Sequence, residues 1–349
     1  MDDAFTESPS GETPQDPSAD IRTLTRYMEL LSVLSRRPLE HWMPAAWQTK
    51  VGNIEAAVER LVSEGLLREA TPSEKLNHKF RVPELKQFLS ARSVRASGNK
   101  SALVESLLSV MTPVEVQTLV VDVRLYRATE EGIANLQQHG VRIAKMTATM
   151  EADALQLLLA GNVGGAVSRI AAHRQALGNP APVSDVNRNA AHYILKLNFT
   201  DLPLDTARRN EVAGTLALAE LLGDSYLGAV ARLEHFWDMG LHLPDISSFL
   251  GADSAHTHLE SYDGQNAKDV FELYLMTRMY EAHATADLGS LLLERSQCAS
   301  KGVSIVRSDD DACTQCRSTA RKYRWSELER LPKLPNHWGC LCWYSEWFD

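Results

Sequence analysis

The sequence predicts a mainly α, multi-domain chain, and three observations lead there. Its 349 residues far exceed the ~100–150 residues typical of one domain, so several cores are expected. Apolar residues recur at spacings of three and four through most of the chain, the period of a helix that packs along one face. Hydrophobic residues at 44% and charged residues at 23%, with 19 Gly and 14 Pro spread thinly, match globular averages and exclude collagenous or wholly disordered chains. A net charge of -9 excludes a polycation that coats nucleic acid or anionic membrane indiscriminately, so any nucleic-acid contact must be local.

Residues 1–20 hold six acidic residues, no basic one and almost no bulky apolar group. Such a segment cannot offset the entropy of ordering and reads as a disordered acidic tail. Its charge is the reverse of a secretory leader's, and no apolar run approaches ~18 residues, so no membrane helix is expected. From Asp20, Leu24, Tyr27, Met28, Leu31 and Leu34 trace a helix that Pro38 closes. A second helix spans about Asn53 to Glu64, with Ile54, Ala57, Val58, Leu61 and Val62 on one face and Gly65 ending it. Leu66-Leu67-Arg68 follows as a short strand. Residues 21–73 thus look like a winged-helix-like unit, the alternative being an ordinary helical packing module.

Residues 75–100 form a basic island: Lys75, Lys79, Arg81, Lys86, Arg92, Arg95 and Lys100 stand against the single acid Glu84. Val82, Leu85, Phe88 and Leu89 predict one short amphipathic helix, and Leu103, Val104, Leu107 and Leu108 a second. Val94 supplies a buried plug between them and Ser97-Gly98 a turn. The positions Leu85, Lys86, Leu89, Val94, Ser97, Gly98, Lys100, Leu103, Leu107 and Leu108 resemble the SAP domain, a two-helix nucleic-acid-binding module. The resemblance covers about 35 residues within 74–111 and departs at Ser93-Val94, where the family usually has Gly-Leu. It implies binding to duplex DNA, often A/T-rich. Physical chemistry points the same way. A helix N-terminus near Gly98 offers free N–H groups to a phosphate, and Lys79, Lys86, Arg92, Arg95 and Lys100 supply charge around it. Such contacts position rather than specify, so weak sequence preference is expected. The competing reading is a solvated basic face used for protein contact.

The span 112–300 reads as a helical bundle or hairpin stack. Thr112-Pro113-Val114-Glu115 is a capping box with proline at the first helical position, while Leu119 to Tyr126 is ambiguous between helix and strand. Two helices surround Gly161, and others are predicted at 205–222, 225–237 and 266–298. His256, His258, Glu260 and Asp263 could be metal ligands, and His235 and His242 flank Trp237 and Asp238, but among eleven histidines some pairs fall together by chance. No phosphate loop, nucleophile elbow, dinucleotide fingerprint or HExxH motif occurs.

Four of the five cysteines lie near the C-terminus, as Cys313-x-x-Cys316 and Cys340-x-Cys342, with His337 just upstream of the second pair. Two thiolate pairs from separate segments suit a closed, structural Zn²⁺ site, with His337 as the alternative to one thiolate. Together with Asp311 and Pro335, these residues also resemble the C-terminal segment of phage head-morphogenesis proteins of the Mu F-like type, which implies a shared zinc-stapled element over 301–349. Trp325, Trp338, Trp343 and Trp347 cluster there, either docking the element on the helices or stacking bases beside Arg317, Arg321, Lys322 and Arg324.

The sequence as a whole reads as a cytoplasmic, DNA-binding protein with a structural zinc element and no catalytic residues assigned. Its partner is double-stranded DNA, not membrane. The alternatives are a nuclease-like enzyme delivered by the basic hairpin and an interaction scaffold of phage or mobile-element origin.

Overall fold

The structure is a computed structural model that describes residues 17–37, 39, 45–197, 199–200, 202, 204–238, 267–295, 299–307, 314–335 and 342–348. It is mainly helical and divides into two compact units. The first comprises Met1–Met146 with Ala176–Asn179, and the second Thr147–Gln175 with Pro180–Asp349. The boundary falls within one long helix. Among the described residues, no helix is long and apolar enough to cross a membrane.

The first unit runs α1 (Pro17–Leu34), α2 (Ala45–Val51), α3 (Ile54–Ser63), β1 (Leu67–Glu69), α4 (Pro72–Lys79), α5 (Val82–Ser90), α6 (Lys100–Val110), α7 (Pro113–Val120), β2 (Tyr126–Ala128) and the start of α8 (Glu130–Leu159). The helical stripe read from residue 24 onward forms the first core, where Met28, Leu31 and Leu34 meet Trp47, Val58, Leu61 and Leu67. Asn53 caps α3 by accepting from the N–H groups of Glu55 and Ala56. The strand after α3 finds its partner outside residues 21–73: β1 pairs antiparallel with β2, with Leu67 opposite Ala128 and Glu69 opposite Tyr126. The ambiguous stretch 119–126 therefore splits, its start closing helix α7 and its end opening strand β2.

Between the two strands lies a four-helix module, α4 to α7, with its own core. Leu76, Leu85, Leu89, Leu103, Val104, Leu107, Val116, Val120 and Leu125 are all buried there. Two capping boxes set its helix starts: Thr71 with Glu74, and Thr112 with Glu115, each followed by proline.

In the second unit, α9 (Val163–Ala176), α10 (Asp185–Ile194), α11 (Thr206–Leu222), α12 (Tyr226–Ala231), α13 (Glu234–Asp238) and α14 (Ala267–Glu294) follow the end of α8. Helix α11 is buried continuously from Val212 to Leu221, as its run of small and apolar residues on every side requires. Helices α10 and α12 pack on both α11 and α14. The helix predicted at 225–237 is two pieces, and Arg232 at the break pairs with Asp224 at 2.7 Å and with Glu151 of α8 at 2.9 Å. After α14 comes a sheet that the helical periodicity did not announce: β3 (Gly302–Val306) is central between β4 (Lys322–Arg324) and β5 (Trp343–Trp347), both antiparallel to it. Helix α15 (Thr314–Thr319) precedes β4.

Within this unit Glu220 of α11 is only 5% exposed. One carboxylate oxygen lies 3.4 Å from His283 Nδ1 of α14, and the other has no partner. The hydrogen bond to Glu220 raises the His283 pKa against the opposing effect of burial. Burial raises Asp287, and burial together with Glu220 and Asp287 raises Tyr226. Because the imidazolium is favoured in the folded state, its contribution to stability is complete below the unfolded pKa of ~6.5 and fades as pH rises through the higher folded value. The melting temperature of the wild type should therefore fall more between pH 6 and pH 8.5 than that of His283→Gln. Parallel curves for the two proteins would show that the pair carries no net charge coupling.

Candidate nucleic-acid interface

Helices α5 and α6 form the hairpin expected from the basic island. Leu85 and Leu89 of α5 are fully buried against Leu103 and Leu107 of α6, with Val82, Phe88, Val94 and Leu108 partly buried around them. The edge-on contact of Phe80 with Phe88, 5.1 Å between ring centres, closes one end.

The link between the helices begins with two crossed hydrogen bonds at the end of α5. Ser93 N–H donates to the Ser90 carbonyl at 2.9 Å, and Val94 N–H to the Leu89 carbonyl at 3.0 Å. This is the Schellman pattern, in which the residue past the helix adopts the left-handed conformation and the next one packs back on the helix. Ser93 occupies that position at φ +59°, and Val94 is the plug that packs back. The Ser93-Val94 departure from the family's Gly-Leu thus keeps the turn and places a strained L-residue in it.

At the other end of the link Gly98 has φ +103°, and a Cβ there would stand 3.0 Å from the Cβ of Ala102. Asn99 then caps α6, its side chain accepting from the Ala102 N–H at 3.0 Å. The N–H groups of Lys100 and Ser101 keep no protein acceptor among the described residues, so they remain available to an anion at the positive end of the helix.

Six of the island's seven cations, all but Arg81 at the start of α5, separate into two sets. Lys75 is buried and pairs with Glu69 of β1. Lys79 pairs with Asp122 and donates to the Leu119 carbonyl at 2.8 Å. Arg92 pairs with Glu115 at 3.1 Å and donates to the Phe88 carbonyl at 3.3 Å. Lys75 and Lys79 thereby tie α4 to β1, α7 and the segment after it, and Arg92 ties the end of α5 to α7. The acids respond: the Lys79 ammonium holds Asp122 below its usual range, and the N–H of Thr112, its hydroxyl and Arg92 do the same to Glu115. Beside them, Arg68 holds Glu74 down to about 2 through a two-pronged hydrogen bond at 2.8 and 2.9 Å. Lys86 and Arg95, both exposed, and Lys100, half-buried at the first residue of α6, have no ion-pair or hydrogen-bond partner among the described residues. The pairing of Lys79 and Arg92 with acids more than twenty positions away was invisible in the local sequence.

Of the proposed metal ligands, Cys313, His337 and Cys340 lie outside the described residues, as do His242, His256, His258, Glu260 and Asp263. Cys316 and Cys342 are both buried, 4% and 1% exposed, in one apolar cluster with Val303, Ile305, Tyr323 and Tyr344. No group of three or more possible metal ligands occurs among the described residues. Glu220 is buried, whereas the side chain of its partner His283 is 36% exposed.

A two-helix hairpin with a basic link and an open helix N-terminus can receive a phosphate. The SAP domain family matches residues 78–109 of this chain, which supports nucleic-acid binding by this segment. No curated protein and no solved structure matches the chain significantly.

The strained position at Ser93 gives a direct check of the turn. Ser93→Gly should stabilise the first unit by about 1 kcal/mol, since a left-handed L-residue costs about that much. Gly98→Ala should destabilise it by about 1–2 kcal/mol for the same reason, aggravated by the Ala102 contact. Urea midpoints measure both, and a neutral Ser93→Gly would mean that the turn is not left-handed.

Proposed function

We propose that the chain binds double-stranded DNA through α5, α6 and their link, with little sequence preference, and that this hairpin is its targeting element. The carrying observation is the division of the basic island. Lys75, Lys79 and Arg92 are neutralised by acids of the same unit, whereas Lys86, Arg95 and Lys100 are left without partners among the described residues around two unsatisfied N–H groups at the start of α6. Unpaired cations on an acidic chain suit a polyanion, and a single helix N-terminus seats one phosphate. Contacts of this kind go to the backbone, so groove shape rather than base identity sets any preference.

The variant Lys86→Glu/Arg95→Glu/Lys100→Glu should weaken duplex binding at least tenfold. It should also lower the slope of log affinity against log salt by about 0.9 for each phosphate that is no longer neutralised. Lys79→Ala should instead lower the melting temperature, because it removes a bond between helices, with a smaller effect on affinity. Undiminished binding by the triple variant, measured by fluorescence anisotropy, would remove α5–α6 from the account.

We further propose a structural Zn²⁺ held by Cys313, Cys316, Cys340 and Cys342, with His337 as the alternative fourth ligand. Burial of Cys316 and Cys342 in one cluster supports it, since the small sheet has few aliphatic residues to order it and metal binding supplies folding free energy. Elemental analysis should find one Zn²⁺ per chain, and Cys316→Ser should abolish it. A metal-free protein with an unchanged Cys316→Ser melting curve would refute the site. Thiolate ligation also fits a reducing, cytoplasmic setting.

A further inference from the structure

The sheet of the second unit has two chemically distinct faces. Val303, Ile305, Tyr323 and Tyr344 are 0 to 4% exposed and pack inward with Ala284, Leu288 and Leu291 of α14. The alternation of strand side chains sends their neighbours to the opposite face. The register then orders that outer face in rows: Arg324, Gly302 and Trp347 in one, Lys322, Ser304 and Ser345 in the next, and Val306 with Trp343 in the last. Cations line β4, small residues line most of β3, and two indoles stand on β5.

Trp347 lies across the central strand. Its Nε1 donates to the Tyr323 carbonyl on β4 at 3.2 Å, and a Cβ on Gly302 would come within 2.7 Å of that nitrogen. Only glycine lets the ring settle there. The Lys322 ammonium sits 4.8 Å from the centre of this ring. Trp325 is fixed by an Nε1 bond of 2.9 Å to the Ser300 carbonyl, and with Trp347, Lys301, Arg324 and Ser326 it lines an open cleft of about 500 Å³. Trp343 is 42% exposed. The nearby acids are engaged elsewhere: Glu327 accepts from the Arg324 N–H at 3.0 Å and Glu346 from Ser300 Oγ at 3.1 Å.

We propose that this outer face binds single-stranded nucleic acid, its indoles stacking unpaired bases and Lys322, Arg324 and Lys301 holding the phosphates. Aromatic faces beside exposed cations form the sequence-tolerant platform that unpaired strands require. A duplex cannot use it in the same way, because its base faces are already stacked. The site is separate from the α5–α6 hairpin and does not depend on the duplex-binding reading.

The test uses the full chain, with fluorescein-labelled dT12, rU12, an abasic 12-mer and a 20-base-pair duplex as probes in anisotropy titrations. Expected is binding of dT12 or rU12 at least tenfold tighter than the abasic strand, with quenching of tryptophan fluorescence. Trp343→Ala and Lys322→Glu/Arg324→Glu should each reduce that affinity about tenfold while leaving duplex affinity and the melting temperature unchanged. The triple hairpin variant should retain it. If dT12 and rU12 bind no better than the abasic strand, or if the hairpin variant alone abolishes their binding, the proposal is wrong and the face is free for a protein partner. A Lys322→Ala/Arg324→Ala variant supplies the same readout should the charge reversals fail to fold.

Discussion

The antiparallel pairing of Leu67–Glu69 with Tyr126–Ala128 is the constraint on which the first unit depends. It joins the two ends of a long excursion of chain, continued by the Ala70 N–H bond to the Leu125 carbonyl at 2.8 Å. Closing such a loop costs entropy once, and every contact inside it is then made at reduced cost. Strand β1 also delivers two groups to the module it encloses: Glu69 meets buried Lys75, and Arg68 grips Glu74 at the start of α4. One short ribbon thereby orients α4, and α4 packs on α6 and α7, which hold the hairpin.

Within that frame the basic residues play two physical roles. A cation drawn partly out of water needs an acid or a carbonyl beside it; Lys75 is buried and Arg92 half-buried, and both have such partners, as does the more exposed Lys79. A cation left wholly in water needs nothing from the fold, and Lys86 and Arg95 are of this kind. The same side-chain chemistry serves cohesion in one set and is left to solvent in the other. The difference lies in where α7 and β1 place their acids. Rigidity of the linking turn follows from Val94 and Gly98, one packed inward and the other in a conformation that side chains resist.

The second unit is organised around α11, whose buried run from Val212 to Leu221 includes the acid Glu220, tied to the partly exposed His283 of α14. Helix α14 connects the two chemistries of this unit. Its earlier part, with Phe271, Tyr274, Leu275 and Met279, completes the helical core, and its later part, from Ala284 to Leu291, forms the floor beneath the small sheet. Tyr280 reinforces the junction by donating to the Cys342 carbonyl. The sheet is thus held from below, which leaves its indole-bearing face outward.

Local patterns alone determined the hairpin. The stripes at Leu85, Leu89, Leu103 and Leu107, the turn at Gly98 and the capping box at Thr112 and Glu115 all act over a few residues, where spacing translates directly into geometry. They also marked α3, α11 and α14 closely, since helical hydrogen bonds are local. Helices α2, α4 and α10, of seven, eight and ten residues, were not predicted, nor were β3, β4 and β5. A strand of three to five residues carries little periodic signal, and its partner comes from elsewhere in the chain. Tertiary structure decided which basic residues are spent on ion pairs, because Asp122 and Glu115 reach Lys79 and Arg92 only after α7 folds back. It also decided that the tryptophans of β5 share a face with the cations of β4. Strand register, unlike helical period, is set between segments distant in sequence, so residue spacing alone does not specify it.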